Sequence, residues 1–376
     1  IWLKRACLFS DFFILTNILP NLQDVNIVDT TRQFAVEKKP MKAKGTLMHR
    51  SKNIIALRAD QGAGTVVQVF NLEKKERVKQ VEIKEAVVYW RWIDDDTLGV
   101  VGKSAVYHVS ITDQAAATKV FDQDAKFATC QIMNYGVDAS KSWCYLVGIY
   151  QGANSQICGY TQLYRIDKNQ RQLLDGGYCA TFSEMPVTSA AHTNSLFCFC
   201  QKKPGEASTK LHVMEIGEPM AGQAKLKQTA DVQLMDGDFP VLIHAAAKYG
   251  CIMVVTKMGY AFLYEASTAA LLHKQQFTDQ LCFVATRNPT TDGMLVVNKT
   301  GQLFMLNVEE SALVPYIASA AHIPNNKELS LRLAQKFGLS GADDMFRMLF
   351  NQKLAAADYA GAANTARDAP GTLLRN

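Results

Sequence analysis

CIMVVTKMGYAFLYEAS, from Cys251 to Ser267, is a buried-looking strand, a tight turn and an alternating strand that ends in a polar residue. The same unit returns as IIALRA…GTVVQVFNL from Ile54, LGVVGKSAVYHVSI from Leu98 and CYLVGI…GYTQLYRID from Cys144. It returns again as LFCFCQ…TKLHVMEIG from Leu196 and GMLVVNKTGQLFMLNVE from Gly293. The six copies start roughly 42 to 55 residues apart. That period belongs to β-propeller blades, each a small sheet that buries its faces only against its neighbours. Function in such a scaffold is expected in the grooves between blades.

Residues from about 7 to 313 read as strands, with β-branched and aromatic runs separated by turn signals. Gly259 and Gly301 stand where hairpins need positive φ. Asp94, Asp95 and Asp96 read as a solvated turn whose side chains bond their own backbone, in preference to a metal site. The stretch IWLKRACLFSDFFIL carries Lys4, Arg5 and Asp11 and is too short to span a bilayer. It is expected to be a strand that closes the propeller. The chain starts at Ile1 without methionine and is expected to be a piece of a longer one.

The character changes after Pro315. Asn326 to Phe337 has helical apolar spacing and then Gly338, a stop signal. Ser340 and Asp343 read as a capping box for a helix through about Leu354, and Asp358 to Asp368 as a third helix halted by Pro370. Short paired helices resemble the start of an α-solenoid, with an array expected to continue past Asn376. The expected domains are a propeller over 1–315 and a helical linker over 316–376.

The 376 residues are 48% hydrophobic and 20% charged, as in a soluble globular protein. The net charge of +5 is spread along the chain, and no RNP, zinc-finger or basic-helix signature accompanies it, so nucleic acid is not expected as a partner. Nine cysteines, an odd number at irregular spacing, read as reduced interior thiols of a cytosolic protein. Cys198 and Cys200 share a strand face without forming a CxxC. No GxSxG, P-loop, HExxH or GxGxxG occurs, and no histidine lies three or four residues from another, so neither enzyme activity, metal nor cofactor is expected. His108 reads as a strand residue with a satisfied hydrogen bond.

Five stretches are similar to the clathrin heavy chain family. They are YWRWIDDDTLGVVGKSAVYHVSI (Tyr89–Ile111), CQIMNYGVDASKSWCYLVGI (Cys130–Ile149), FPVLIHAAAKYGCIMVVTKMGYAFLYE (Phe239–Glu265), NKTGQLFMLNVEESALVPYI (Asn298–Ile317) and LSGADDMFRMLFNQKLAAADYAGAANTARDAP (Leu339–Pro370). The resemblance implies a seven-bladed β-propeller followed by a helical linker that opens a leg of helical repeats. The family carries a longer stretch than AVEKKPMKAKGTLMHRSKN, which follows Phe34. Either the first blade is truncated or residues are missing, and the seventh blade is expected to be assembled from the two ends.

The resemblance also implies adaptor binding. Family propellers hold Leu-Φ-x-Φ-acid peptides (Φ, bulky apolar) between the first two blades. Ile55, Gln68, Phe70, Leu72, Lys75 and Arg77 match that groove, with Val66 where the family often has threonine. Gln68, Phe70 and Leu72 alternate along a strand and so face one way. A second family site, on the top face near the axis, takes tryptophan-containing peptides, and Gln131, Met133 and Ile149 fall on it. Its aromatic contributor from the first blade has no match, because Asp24-Val25 occupies that stretch. A third groove, between blades four and five, implies Trp143, Leu163, Lys168 and Gln172. Lys168 stands for a frequent arginine and loses the planar fork. Implied partners are adaptors, with light chain and other heavy chains engaged through regions outside this sequence. Implied localisation is cytoplasmic, on coated pits and vesicles, with membrane reached only through adaptors. The rival expectation is a structural propeller scaffold of a coat complex without peptide binding, favoured by a shortened first blade.

Overall fold

The computed structural model describes residues 5–8, 12–16, 24–29, 35–41, 43–49, 51–152, 156–189, 192–217, 219, 222, 224–288, 290–369 and 373–374; up to residue 34, only the side chains of Val25 and Ile27 are described. The strands form seven antiparallel sheets, each paired in chain order, six with four strands and one with three. Blade 1 holds β1 (Arg5–Leu8), β2 (Phe12–Thr16), β3 (Asp24–Asp29) and β4 (Ala35–Pro40). In blade 2 are β5 (Gly45–Met48), β6 (Ile54–Gln61), β7 (Gly64–Asn71) and β8 (Glu76–Ile83). Blade 3 comprises β9 (Tyr89–Trp92), β10 (Thr97–Val101), β11 (Ala105–Ser110) and β12 (Thr118–Asp122). Blade 4 runs through β13 (Gln131–Val137), β14 (Trp143–Gln151), β15 (Ile157–Arg165) and β16 (Gln170–Asp175). Next come β17 (Gly177–Ser189), β18 (His192–Gln201), β19 (Thr209–Glu215) and β20 (Lys227–Val232) as blade 5. Blade 6 is β21 (Pro240–Ala246), β22 (Cys251–Thr256), β23 (Tyr260–Glu265) and β24 (Leu271–Gln276). Blade 7 is β25 (Cys282–Asn288), β26 (Gly293–Asn298) and β27 (Leu303–Leu306).

The first strand of each blade lies innermost. β1 sits beside both β25 and β5, which brings the last blade against the first. Two expectations are corrected here. Blade 1 is not shortened, because β1 to β4 give it four strands from residues 5–40 alone. Nor is the seventh blade assembled from the two ends: the N-terminal stretch pairs with itself as β1 and β2, and β25–β27 pair among themselves. Closure is therefore sheet against sheet. Local hairpin pairing wins because adjacent strands joined by short turns lose less loop entropy than strands from opposite ends of the chain.

Packing follows the period of two. On β26, Met294 and Val296 pack toward blade 6, while Leu295 and Val297 face the other way. On β7, Val67 and Val69 enter the cluster shared with blade 3, and Phe70 packs on Val25 and Ile27 of blade 1. Both faces of a middle strand are thus buried, which is why these strands read as continuous apolar runs. Gly259 and Gly301 take φ of +82° and +87° at their turns. Cys198 and Cys200 enter the same cluster, and the eight described cysteines are free thiols.

A buried ammonium joins blades 2 and 3. Lys79, 2% exposed, donates to the Asp113 carbonyl at 2.7 Å and the Ala115 carbonyl at 2.5 Å, with the Asp113 carboxylate at 3.4 Å. Lys79→Ala strips two carbonyls of their donor and is expected to cost about 2–3 kcal/mol in urea denaturation.

Four helices follow the propeller: α1 (Glu310–Ser319), α2 (Asn326–Phe337), α3 (Asp343–Ala355) and α4 (Tyr359–Asp368). α2 ends at Gly338 with φ +64°, as the stop signal predicts. α1 corrects the expectation of strand up to residue 313; it contains Pro315, which removes one backbone donor without ending the helix. The buried face of Leu313, Val314 and Ile317 outweighs that loss. The capping box is also corrected: α3 starts after Ala342 with no side-chain cap. Asp358 does cap α4, accepting from the Gly361 N–H at 2.8 Å. Pro370 lies outside the described residues. The helices do not stand apart. Leu313, Val314, Ile317, Leu329 and Leu333 share one core with Val255, Met294 and Val296 of blades 6 and 7.

Candidate functional site

The contact between blades 1 and 2 is a small apolar wedge. Ile55 is fully buried with Met48, Val25 and Ile27. Phe70 stands directly opposite Ile55 across β6 and β7, and Phe70 and Leu72 cover the wedge while remaining half exposed. Val66 and Gln68, four and two residues before Phe70, are also half exposed. The sequence did not single out Gln80, which lies opposite Gln68 and receives both its amide at 2.9 Å and the Arg77 guanidinium at 2.5 Å. A bulge between Val69 and Phe70 shifts the register there, so counting from the turn alone names Lys79 and only the folded hairpin brings Gln80 opposite. That turn is closed by Asn71, whose side-chain oxygen accepts from the N–H groups of Glu73 and Lys74, each at 3.0 Å. Lys75, at φ +54°, is exposed and makes no ion pair among the described residues. An apolar shelf, an amide pair and two exposed cations thus lie along one edge of β7 and β8.

The second set is only partly brought together. Gln131 pairs with Ile149 across β13 and β14, and Met133 sits at a bulge two residues on. Met133 lines an axial cavity of about 550 Å³ among the inner strands, whereas Gln131 and Ile149 do not. Val25, next to the position lacking the family's aromatic residue, is buried on β3 against blade 2, away from the axis.

In the third set, Trp143 and Leu163 pack into the contact of blades 4 and 5 with Tyr145, Phe197 and Phe199. Gln172 pairs with Leu163, which is 7% exposed, and Lys168 is exposed in the turn between β15 and β16. Arg165, which sequence reading passed over, lies 5.2 Å over the Trp143 ring and forks onto Asp167 at 2.8 and 3.1 Å. A planar guanidinium is therefore present beside this groove even though Lys168 lacks one. Its place directly opposite Trp143 in the hairpin is the available signal.

Asp94, Asp95 and Asp96 tie blades together. Burial raises the Asp94 carboxyl, but the Lys141 ammonium at 2.7 Å, the Asp96 N–H and Thr97 outweigh it and hold it at about 2. The Asp95 carbonyl accepts from His49 at 3.0 Å, and Asp96 pairs with Lys52. Among the described residues no group of three or more histidine, cysteine or acidic side chains has the form of a metal site.

His108 donates from Nε2 to the Tyr135 hydroxyl at 2.7 Å, which in turn donates to Cys144 at 3.3 Å. Burial lowers its pKa from 6.5 to about 4. A folded-state value below the unfolded one means the unfolded chain binds the extra proton. The stabilisation is therefore complete above pH 6.5 and lost as pH falls toward 4, amounting to about 3 kcal/mol. His108→Gln should flatten this acid limb in urea midpoints measured across that range.

Comparison with known proteins adds the lineage. The Clathrin-H-link family matches residues 338–376. Human clathrin heavy chain 2 is 34% identical over 355 residues, 93% of this chain. Probable clathrin heavy chain 1 of Caenorhabditis elegans is 33% identical over 366 residues, and the clathrin heavy chain of Drosophila melanogaster 33% over 371. The chain spans 21 to 22% of the length of these relatives. Among solved structures it is similar to a chain of a mitotic checkpoint complex (TM-score 0.56, 10% identity, 82% of this chain and 91% of that one). It is also similar to the beta-propeller domain of Myceliophteria thermophila Cps50 (Swd1) (TM-score 0.51, 10% identity, 82% and 98%), a likeness of fold alone. With identity carried across nearly the whole chain, a link-region match at its C-terminal end and a seven-bladed propeller in front of it, this chain is a homologue of the clathrin heavy chains.

Proposed function

We propose that this chain is the adaptor-binding terminal region of a vesicle coat protein, a non-catalytic module that holds Leu-Φ-x-Φ-acid peptides between blades 1 and 2. The observation that carries this reading is the convergence of Gln68, half-buried Phe70 and Leu72, and exposed Lys75 and Arg77 on one edge. An extended peptide would bond to Gln68, lay its apolar side chains on Phe70, Leu72 and Val66 above Ile55, and turn its acid toward Lys75 and Arg77. The four-stranded blade 1 supports the reading, because it builds the opposite wall and removes the reason for preferring a bare scaffold. The top-face set (Gln131, Met133, Ile149) and the blade 4–5 set (Trp143, Leu163, Lys168, Gln172) are subsidiary peptide sites in the same proposal. The proposal also divides the chain into a propeller and a helical linker, and the boundary expected at 315/316 falls inside α1.

Each contact is weak, since a disordered peptide loses entropy on ordering, and many copies on a coat raise the effective concentration. Light chain and other heavy chains would engage other parts of the longer protein. The module would work on the cytoplasmic face of coated pits and vesicles, reaching membrane through adaptors; no described helix is long and apolar enough to cross one. Fluorescence anisotropy with a labelled Leu-Φ-x-Φ-Asp peptide tests this. Saturable binding that weakens with salt is expected, and a flat titration to millimolar peptide would overturn the proposal.

A further inference from the structure

A surface groove on blade 6, flanked by the segments that join it to blades 5 and 7, has a different chemistry. Its volume is about 480 Å³, and Met235, Met258, Tyr260 and Leu281 wall it, with Asp236 and Asp279 at its edge. The floor is fixed. Tyr260 pairs with Gln276 across β23 and β24 and packs on the core shared by blades 5 and 6. Met258 is held at its turn by Gly259 and by its own N–H, which donates to Asp238 at 2.9 Å. Met235 and Leu281 are 55% and 42% exposed, an apolar surface that gains from being covered.

The rim carboxylates of this groove lack ion-pair partners. Asp236 and Asp279 are exposed and make no ion pair among the described residues; Asp279 receives only the Gln280 amide, at 3.3 Å. Next to them, Asp238 has a buried carboxylate oxygen with no hydrogen-bond partner. Of the lysines nearby, exposed Lys299 donates its backbone N–H to the Leu281 carbonyl at 2.8 Å, and two are engaged through their ammonium groups. Lys274 donates to the Gln233 carbonyl at 2.9 Å and lies over the Tyr260 and Phe262 rings, and Lys257 donates to the Cys282 carbonyl at 2.6 Å.

An apolar groove with free carboxylates on its rim complements a bulky apolar side chain flanked by cations. The methionine walls adapt to the shape of such an anchor, and the carboxylates select its charge. We infer that this groove docks a short basic-apolar peptide segment of a partner protein, opposite in charge to the peptide proposed for blades 1 and 2.

The test uses a short fluorescein-labelled peptide carrying Leu-Phe between pairs of lysines, and a twin with glutamates in their place. The lysine peptide is expected to saturate the protein, to weaken as salt rises, and to bind at least about tenfold more weakly to Asp236→Lys/Asp279→Lys. Met258→Ala, which leaves the charges intact, should also weaken it several-fold. Gln68→Ala/Phe70→Ala should leave it unchanged, which separates this site from the groove of blades 1 and 2. The inference falls if the lysine peptide shows no saturable binding or survives charge reversal undiminished. It also falls if the glutamate twin binds equally well in the Gln68→Ala/Phe70→Ala background.

Discussion

Replacing Gln68 and Phe70 together by alanine is expected to weaken a Leu-Φ-x-Φ-Asp peptide by at least about 30-fold, or about 2 kcal/mol. Phe70 is the large aromatic surface of the blade 1–2 groove, seated on Ile55 and half open to solvent. In the proposed site Gln68 is the amide that an incoming backbone would meet first, and Gln80 holds it in place. Removing both takes away the apolar anchor and the oriented hydrogen bond at once. The double variant should stay folded, losing about 1–2 kcal/mol in urea denaturation, because only the half of Phe70 against Met48, Val25 and Ile27 is structural. Charge reversal of Lys75 and Arg77 should act differently, slowing association and flattening the salt dependence. Wild-type affinity in the Gln68→Ala/Phe70→Ala protein would rule out this groove as the peptide site.

Gly250→Ala should be the most damaging single-methyl change near the linker, costing about 3 kcal/mol or more. Gly250 follows the short 3₁₀ turn Ala247–Tyr249 at φ +63°, and its carbonyl accepts from the Ala266 N–H at 2.9 Å, so the backbone is held there. An L-residue in that conformation costs about 1–2 kcal/mol. The added Cβ would also fall 2.2 Å from the Phe337 ring at the end of α2, and overpacking of that kind costs about 1–3 kcal/mol. The strain falls on the docking of α2, where Lys336 donates to the Val187 carbonyl at 2.7 Å and Arg332 approaches Glu265. Urea denaturation should show the loss, and limited proteolysis should begin cutting within α2 and α3. In a Phe337→Ala background the methyl has room, so the two changes should be clearly less than additive. Equal losses in both backgrounds would mean that the ring contact is not the source.

The repeat was legible because each blade is made of hairpins, and hairpins are local. The turn glycines Gly259 and Gly301, the helix Asn326–Phe337 and its stop at Gly338 all depend on residues within one or two turns of chain. The first blade was harder to see. Its strands β1 to β4 are four to six residues long, and seven residues separate β2 from β3, where two to four close the same hairpin in blades 2, 3, 6 and 7. α1 was hidden by Pro315, whose local rule is outweighed by burial against blades 6 and 7. At the candidate grooves, alternation along β7 identified Phe70 as sharing a face with Gln68, whereas Gln80 and Arg165 become visible only when hairpin register is drawn.

By itself, then, the sequence determined the unit, its repetition, the switch from strand to helix, and the absence of the short motifs of catalysis, since each is written within a few tens of residues. Only the tertiary structure decided which blade faces which. It set Phe70 over Val25 and Ile27 of blade 1, Lys336 on Val187, and Asp236 and Asp279 at one groove. The reason is physical. Hydrogen bonds within a blade join neighbours in the chain, but burial between blades is non-directional and is settled only when the ring closes and every strand has found both of its faces.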